Sequence, residues 1–380
     1  MRKSRVPILD LTRQTEDLRP ELERAARAVF RGGEFILGPQ VALFEKEFAR
    51  FCSSRFGVGV ASGTDALELA LRAVGVQAGD IVATVSLTFL ATADAILHAG
   101  ARPLFVDIDP VTYTMDPADL EERLRRLSVS ERKRLKAILP VHLYGHPCDM
   151  DRIRAVARRN RLAVVEDCAQ AAGAAWKGRP VGGLGDASCF SFFPTKNLGA
   201  FGDAGMVVTG SSAAAEKIRS LRVHGRGKGD LQMSLGRNSR LDELQAALLR
   251  VKLHRLRSWV AKRRSLAAEY TRRLSALSGI VCPTQARGAR HAFHLYVIRS
   301  RRREQLRRAL ENRGIASRVY YPVPVHRQPL HRAANRGVHL PETERACREV
   351  LALPLFPELT PAELRRVCSA LEAFQMCQPR

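Results

Sequence analysis

Over its first 210 residues the chain alternates short apolar runs with amphipathic stretches. Runs at about 57–61, 81–85, 103–106, 137–142, 162–166, 187–192 and 205–209 are almost unbroken in apolar residues. Runs of that length read as strands buried on both faces. Between them, stretches such as 17–30, 41–52, 65–72 and 149–160 place apolar residues at helical spacing. Gly32-Gly33 ends one helix and Gly38-Pro39 opens the next. The alternation predicts an α/β fold with a mostly parallel seven-stranded sheet and helices on both faces. In such sheets ligands collect at the carboxyl ends of the strands. An extended piece is expected at 6–11, and a charged, exposed helical region at 117–136. From about residue 240 the character changes. Positions 241–277 read as almost all helix, followed by a strand at 292–299, a basic helix at 304–313, a Pro-rich segment at 320–329 and two helical stretches at 341–350 and 361–375. The expected organisation is a large domain over 1–250, N-terminal segment included, and a smaller α+β domain over 251–380.

A chain of 380 residues is long enough for two cores. Lys+Arg number 62 against 38 Asp+Glu, a formal charge of +24. The basic clusters at 123–126, 132–136, 262–264 and 299–308 sit among helix-forming residues and lack interleaved aromatics. Solvated helix faces are expected there, with no nucleic-acid platform. Eight cysteines are scattered, with no Cys-x-x-Cys pair and no zinc-like spacing, so no metal and a reducing compartment are expected. The first ten residues carry charge with no apolar region behind them, and no apolar run is long enough to span a bilayer. The expected location is therefore cytoplasmic, without a membrane partner.

Candidate chemistry concentrates at strand ends. The buried-strand pattern of 187–192 breaks at Pro194, Lys196 follows at once, and a second strand begins near Met206. A lysine set between two buried strands is either a surface residue in a connection or a Schiff-base lysine for pyridoxal phosphate (PLP). A PLP site also needs a carboxylate on the pyridine nitrogen, a phosphate cup and a planar face against the ring. Asp167 ends an apolar strand and fits the first role, or serves as a cap or internal ion pair. Ser62-Gly63-Thr64-Asp65 lies between a strand and a helix. It suits a phosphate, because Gly admits close backbone approach and the helix start offers free N–H groups, or it simply caps the helix. Phe89 follows a strand end and suits ring stacking, or the core. Ser191 offers the phosphate a further hydroxyl.

These residues belong to a series of motifs: Glu34-Phe-Ile-Leu-Gly-Pro39, Ser62-Gly-Thr-Asp-Ala-Leu67, Thr88-Phe89, Pro140-Val-His-Leu-Tyr-Gly145, Glu166-Asp-Cys-Ala-Gln170, Ser191-Phe-Phe-Pro-Thr-Lys-Asn-Leu-Gly199, Gly202-Asp-Ala-Gly205, Arg222-Val-His-Gly225, Asn238-Ser-Arg-Leu-Asp242 and Tyr321-Pro-Val-Pro-Val-His326. In this order they resemble the DegT/DnrJ/EryC1/StrS family of PLP-dependent sugar aminotransferases, nearly end to end. The resemblance implies the type I, aspartate-aminotransferase-like PLP fold. It implies Lys196 as the catalytic Schiff-base lysine and Asp167 as the pyridinium partner. Gln170 falls near the ring hydroxyl; Gly63, Thr64, the Asp65 backbone and Ser191 near the phosphate; and Phe89 on the ring. Asn238 matches a segment that reaches the neighbouring subunit's phosphate, which implies a homodimer with shared active sites. Tyr321 and His326 match a segment near the sugar.

The implied reaction moves an amino group from L-glutamate to a keto group of a nucleotide-linked deoxysugar, with pyridoxamine phosphate as intermediate. The segment around Lys196 is most similar to relatives that aminate 3-keto sugars of dTDP. The alternatives are a cyclitol or other ketone as acceptor, or a non-catalytic PLP-binding regulator. Two positions depart from the family pattern. Phe193 stands where Tyr is frequent, and Ala204 stands where a Gly is common. Relatives with His at the lysine position act as dehydratases, and Lys196 argues against that chemistry.

Overall fold

The structure, a computed structural model, describes residues 5–376. All seven apolar runs form strands of one sheet: β1 (Phe56–Val60), β2 (Ile81–Val85), β3 (Arg102–Val106), β4 (Leu135–Leu139), β5 (Ala163–Asp167), β8 (Ala187–Ser191) and β9 (Gly205–Thr209). Between β5 and β8 lies a small hairpin, β6 (Ala175–Trp176) and β7 (Arg179–Pro180), joined at its edge by β10 (Ala289–Arg290). The large sheet runs β1-β9-β8-β5-β4-β2-β3. Strands β3, β2, β4, β5 and β8 are parallel, whereas β9 is antiparallel to both its neighbours. The parallel strands therefore end on one edge, and Asp167 in β5 pairs with Cys189 in β8.

Alternate residues of each strand enter two separate cores, as the two-residue period of a strand demands. Ile138, Phe190, Met206 and Val208 face one core; Leu139, Cys189 and Val207 face the other. The first core is closed by α3 (Pro39–Phe51), α6 (Pro117–Arg126), α8 (Met150–Asn160) and the long α10 (Glu243–Leu274). The second is closed by α4 (Gly63–Ala73), α5 (Leu90–His98) and α9 (Ser212–Leu221). The expected helical region 117–136 is divided. After α6 the chain breaks at Leu127, and Ser128 starts the short α7 (Val129–Arg134) with a capping box to Glu131. Strand β4 begins immediately after it.

The C-terminal unit packs the ladder of β11 (Tyr296–Arg299) and β12 (Val350–Leu353) against α11 (Arg303–Asn312) and α14 (Pro361–Met376). Helix α10 crosses the expected boundary at 250 without a break: Leu256 and Val260 pack in the large core, Ala267, Tyr270 and Leu274 in the small one. The start of the chain also departs from expectation. Val6 is buried in the C-terminal core and bridges to Ile315, and Arg13 pairs with Glu363 at 2.7 Å, so this segment packs with the smaller unit. Residues 11–17, read only in part as extended, form α1 (Leu11–Asp17), capped by the Asp10 carboxylate on the Thr12 N–H. It leads into α2 (Arg19–Gly32). Strand β12 was not expected. Its four apolar residues directly follow α13 (Pro341–Glu349), and so short a run has no period to tell it from a helix end. Among the described residues no helix is long and apolar enough to cross a membrane. Among the described residues seven cysteines are free.

Candidate active site

Strand β8 delivers Lys196. Phe190 and Phe192 point to the same face, where both rings meet Phe48 edge-on at 4.8 and 5.0 Å, and Phe192 meets Phe44 at 5.3 Å. Ser191, between them, points the other way, against Gly63. After Pro194 the chain turns tightly: the Lys196 N–H donates to the Phe193 carbonyl at 2.8 Å and the Ala200 N–H to the Phe192 carbonyl at 2.7 Å. Buried Lys252 on α10 donates its ammonium to the Gly199 carbonyl at 2.7 Å and lies 4.1 Å from the Phe201 ring centroid. The lysine turn is thus held by the aromatic strand on one side and by a charge-assisted bond on the other. Lys196 itself is half-buried, and its ammonium makes no hydrogen bond among the described residues. Burial lowers its pKa to about 8, with nearby Asp167 opposing the shift.

Asp167 is buried at the carboxyl end of β5. One oxygen accepts from the Thr92 hydroxyl at 2.8 Å, which is bonded in turn to Thr88 at 2.8 Å. The other accepts the Ala169 N–H at 3.1 Å. Burial raises the Asp167 pKa, because these neutral donors compensate only part of the lost hydration. The carboxylate therefore favours a cationic partner.

The adjacent Glu166 faces the other way and is fully enclosed. It accepts from His142 Nε2 at 2.9 Å, Ser188 at 2.6 Å and the N–H groups of Leu184 and Gly185 at 3.0 and 2.8 Å. Burial opposes its charge, but His142 and the other donors overcome that and hold its pKa below the usual value. The Cys148 N–H reaches His142 Nδ1 at 3.0 Å, so the single ring proton sits on Nε2 and is donated to Glu166. The His142 backbone N–H also donates to the Asp167 carbonyl at 3.0 Å. His142, Glu166 and Cys168 bring potential metal ligand atoms within 4.8 Å of one another, yet both His142 nitrogens and both Glu166 oxygens are engaged in protein hydrogen bonds. His142→Ala leaves Glu166 short of a donor and opens a cavity beside it. It is expected to destabilise the chain by about 2–4 kcal/mol, read by thermal unfolding.

The start of α4 forms a cradle. Ser62 accepts the Asp65 N–H at 3.1 Å, so the cap and the phosphate-cup arrangement occur together here. This differs from the expected use of the Asp65 backbone, whose N–H is already spent on the cap. The Asp65 carboxylate is also turned away, paired with Arg237 and accepting from Ser239 at 2.9 Å. The N–H groups of Gly63 and Thr64 make no hydrogen bond among the described residues. Gly63 is required by close approach: a Cβ there would stand 2.6 Å from Ser191 Cβ. Ser191 Oγ, which accepts the Phe193 N–H at 3.3 Å, completes the wall.

Gln170 accepts the Tyr144 N–H at 2.7 Å and donates to the Tyr321 hydroxyl at 3.1 Å. Tyr321 meets the Phe89 ring at 6.0 Å. Phe89, at the start of α5, is 56% exposed and so presents an open aromatic face. The structure thus joins Gln170, Tyr321 and Phe89; burial raises the Tyr321 pKa, and the nearby Asp167 carboxylate adds to that shift.

His326 and Asn238 do not join this cluster. His326 is fully buried, with Nδ1 at 2.8 Å from Ser86 Oγ and Nε2 at 3.3 Å from Glu344. Both nitrogens are engaged, and the residue fastens the Pro-rich segment to the end of β2, so the expected position near a sugar is corrected to a structural one. Asn238 is exposed and makes no side-chain hydrogen bond among the described residues. It lines a separate cleft of about 390 Å³ with Ala61, Gly202, Asp203 and Gln245. Of the two departures, Ala204 does not adopt a positive φ, and its carbonyl accepts the Phe192 N–H at 2.8 Å, so the turn accommodates it. Phe193 is half-exposed beside the lysine turn.

Sequence reasoning passed over Thr92 and Lys252. Thr92 lies one helical turn beyond Thr88, and Lys252 is a cation on the apolar face of α10, which it shares with Arg263; those were the available signals. The assembled chemistry is specific. An amine able to be neutral near pH 8, a buried carboxylate lacking a cation, two free N–H groups at a helix start and an open aromatic face suit a planar, anionic, carbonyl-bearing heteroaromatic molecule. The amine is directly testable. Labelling of Lys196 by an amine-directed reagent, followed by mass spectrometry, is expected to climb about tenfold per pH unit up to about 8 and flatten above it.

Residues 16–372 match the DegT/DnrJ/EryC1/StrS aminotransferase family model. A "Pleiotropic regulatory protein" of Geobacillus stearothermophilus is 47% identical over 372 residues, covering 97% of this chain and 98% of the relative. The dTDP-3-amino-3,4,6-trideoxy-alpha-D-glucose transaminase of Streptomyces venezuelae is 44% identical over 369 residues, covering 97% and 95%. Among solved structures, S. venezuelae DesV in complex with a ketimine intermediate superposes with a TM-score of 0.95 at 42% identity, over 99% of this chain and 100% of that one.

Proposed function

The chain belongs to the DegT/DnrJ/EryC1/StrS aminotransferase family, and we propose that it moves an amino group from L-glutamate to a keto group of a dTDP-linked deoxysugar, with pyridoxal 5'-phosphate as cofactor. The observation that carries the reading is the nearness of the Lys196 amine, whose pKa burial lowers to about 8, to the buried Asp167 carboxylate, whose pKa burial raises and which makes no ion pair among the described residues. The residues present fit the cofactor. Its pyridinium would supply the charge Asp167 lacks, and the Gly63–Ser191 cradle offers two free N–H groups to its phosphate.

When bound, the cofactor supplies an aldehyde that condenses with amines and a ring that stores the electrons of a broken C–H bond. Lys196 would hold the cofactor's carbonyl carbon, and its Nζ, once free, would be the base that takes the proton from the substrate's α-carbon and the acid that returns it. Asp167 would hold the ring nitrogen. Thr92 and Ala169 orient Asp167, and the backbone bond from His142 holds the strand end beneath it. Gln170 and Tyr321 border the site, and Phe89 offers the ring a stacking face.

The test is chemical. The loaded chain is incubated with L-glutamate, and 2-oxoglutarate is measured with and without dTDP- and UDP-linked 3-keto and 4-keto sugars and a cyclitol ketone. A single stoichiometric release without acceptor, and turnover with a dTDP-linked 3-keto sugar, are expected. Release of no 2-oxoglutarate under any condition would sink the reading in favour of a regulator without catalysis.

The active sites are proposed to be shared across a homodimer. Asn238 is exposed and lines a cleft that none of the lysine-cluster residues lines, and three nearby apolar residues, Leu231, Met233 and Leu235, are each more than 60% exposed. An apolar patch of this kind marks a contact surface. Asn238→Ala should lower activity. Mixing inactive Lys196→Ala chains with Asn238→Ala chains should restore about a quarter of wild-type activity, since half the dimers are hybrids and each carries one intact site. No recovery after verified exchange of chains would count against sharing.

A further inference from the structure

A second cavity, of about 490 Å³, opens in the C-terminal unit between the end of β11, the residues that follow α10, helix α13 and the last turns of α14. None of the residues of the lysine cluster lines it. Its wall carries Arg299, Arg301, Arg302 and Arg345 against a single carboxylate, Glu349. Four guanidinium groups and one carboxylate leave a formal charge of +3 around one small space. The opposite wall is apolar, with Ile280, Leu371 and Phe374.

Part of this charge has an ordinary explanation. Arg301 and Arg302 are exposed at the start of a helix, where water solvates them. Arg302 bonds to Gln305 and lies 5.8 Å from the Phe374 ring centroid. Arg299 is mostly buried and lies 5.9 Å from the Tyr113 ring centroid, whereas the Arg345 side chain is half-exposed. Arg299 Nε and Nη1 and Arg345 Nε are buried and have no hydrogen-bond acceptor. Glu349 stands 3.6 Å from Arg299 Nε, beyond hydrogen-bond range, and Glu342 occupies only the Nη2 end of Arg345. Arg301 makes no hydrogen bond or ion pair among the described residues. Like charges brought together with unmet donors are costly unless something supplies acceptors and negative charge. Oxygens of a phosphate chain match the fork of a guanidinium in geometry and in sign. The apolar wall would take an organic portion, and the volume lies in the usual range for a small-molecule site.

We propose that this cavity is a binding site, separate from the lysine site, for a small organic molecule bearing a diphosphate. Arg299, Arg301 and Arg345 meet the phosphates and Phe374 lies against the organic part. The test is hydrogen–deuterium exchange of the full, cofactor-loaded chain at low ionic strength, with inorganic pyrophosphate or ADP at about 5 mM as probes. Because exchange is read segment by segment, binding here is distinguished from binding at the lysine site. Slower exchange is expected at 278–281 and 299–302, with ADP effective at a concentration at least tenfold lower than pyrophosphate. The double variant Arg301→Gln/Arg345→Gln should lose this protection while glutamate-dependent turnover stays unchanged. The single variant Arg301→Gln, at an exposed position, should weaken it severalfold without risk to folding. Absence of protection with either probe, or the same protection in wild type and both variants, overturns the proposal. Equal potency of ADP and pyrophosphate overturns its organic part.

Discussion

Lys196→Ala is expected to lower glutamate-dependent turnover by about 10⁴-fold or more, to the floor of the assay. The size follows from two roles lost at once. Lys196 is the amine that the site presents to a carbonyl, and it is the base whose pKa of about 8 lets it accept and return a proton near neutral pH. The fold should survive the change. The turn is held by backbone bonds, by the Phe190–Phe192 packing on Phe48 and by the Lys252 bond to Gly199, none of which involves the Lys196 side chain. Removing a partly desolvated ammonium should if anything stabilise the apo chain slightly. Lys196 has a folded pKa below its unfolded value, so the unfolded chain binds more protons between pH 8 and 10.5. The destabilising cost is fully present below pH 8 and fades as pH rises through that window. The check is the rate of 2-oxoglutarate formation together with the melting temperature. Retained turnover in a correctly folded variant would end the reading of this residue, and a collapsed melting temperature would show that the turn depends on it structurally.

Asp167→Asn is expected to cut turnover by about 10²–10³-fold, in the range seen when one oriented electrostatic partner is removed from a reaction centre. Asn keeps the shape and can still meet Thr92 and Ala169, but it cannot hold the charge of a protonated ring. In the apo chain the same substitution should leave the melting temperature unchanged or raise it at neutral pH. The reason is the sign of the Asp167 shift. Its pKa is raised in the folded chain, so above the ordinary value of 3.8 the folded state binds more protons than the unfolded one, and stability declines as pH rises through the raised value. Asn removes that decline. A variant that loses activity and stability together would mean that Asp167 serves structure, as the partner of Cys189 in the sheet, more than it serves chemistry.

The two adjacent carboxylates of β5 have opposite relations to their surroundings. Glu166 is saturated with donors and reads as structure, whereas its neighbour Asp167 is under-supplied and reads as function. Adjacent residues of one strand face opposite cores, and this alternation separates the two roles.

The large sheet was legible because its strands are buried on both faces and so read as continuous apolar runs; the observed bounds shift by no more than three residues. Lys196, Asp167, Gly63, Ser191 and Phe89 could be expected near one another because strand ends of a parallel sheet converge on one edge, so residues just past apolar runs become neighbours; Gln170 was expected there from the family resemblance. The failures have equally specific causes. Helix α1 depends on a cap from Asp10 to Thr12, a signal only two residues long. Strand β12 is defined by its pairing with β11 across more than fifty residues. His326 looked like a ligand residue in a Pro-rich loop, but its two nitrogens are claimed by Ser86 and Glu344, at separations of 240 and 18 residues.

Sequence alone was enough for the class of fold, for the family resemblance and for the lysine at its centre, because burial of apolar runs and the order of motifs are properties written along the chain. Whether a given polar group is satisfied is not such a property. It depends on which donors lie within about 3 Å once distant segments have packed. The contacts Thr92–Asp167 and Lys252–Gly199 join residues 75 and 53 positions apart. The removal of His326 from the site, the spent N–H of Asp65 and the unmet guanidinium donors of the C-terminal cavity became visible only in three dimensions, since short-range hydrogen bonding is decided by packing and not by spacing in the chain.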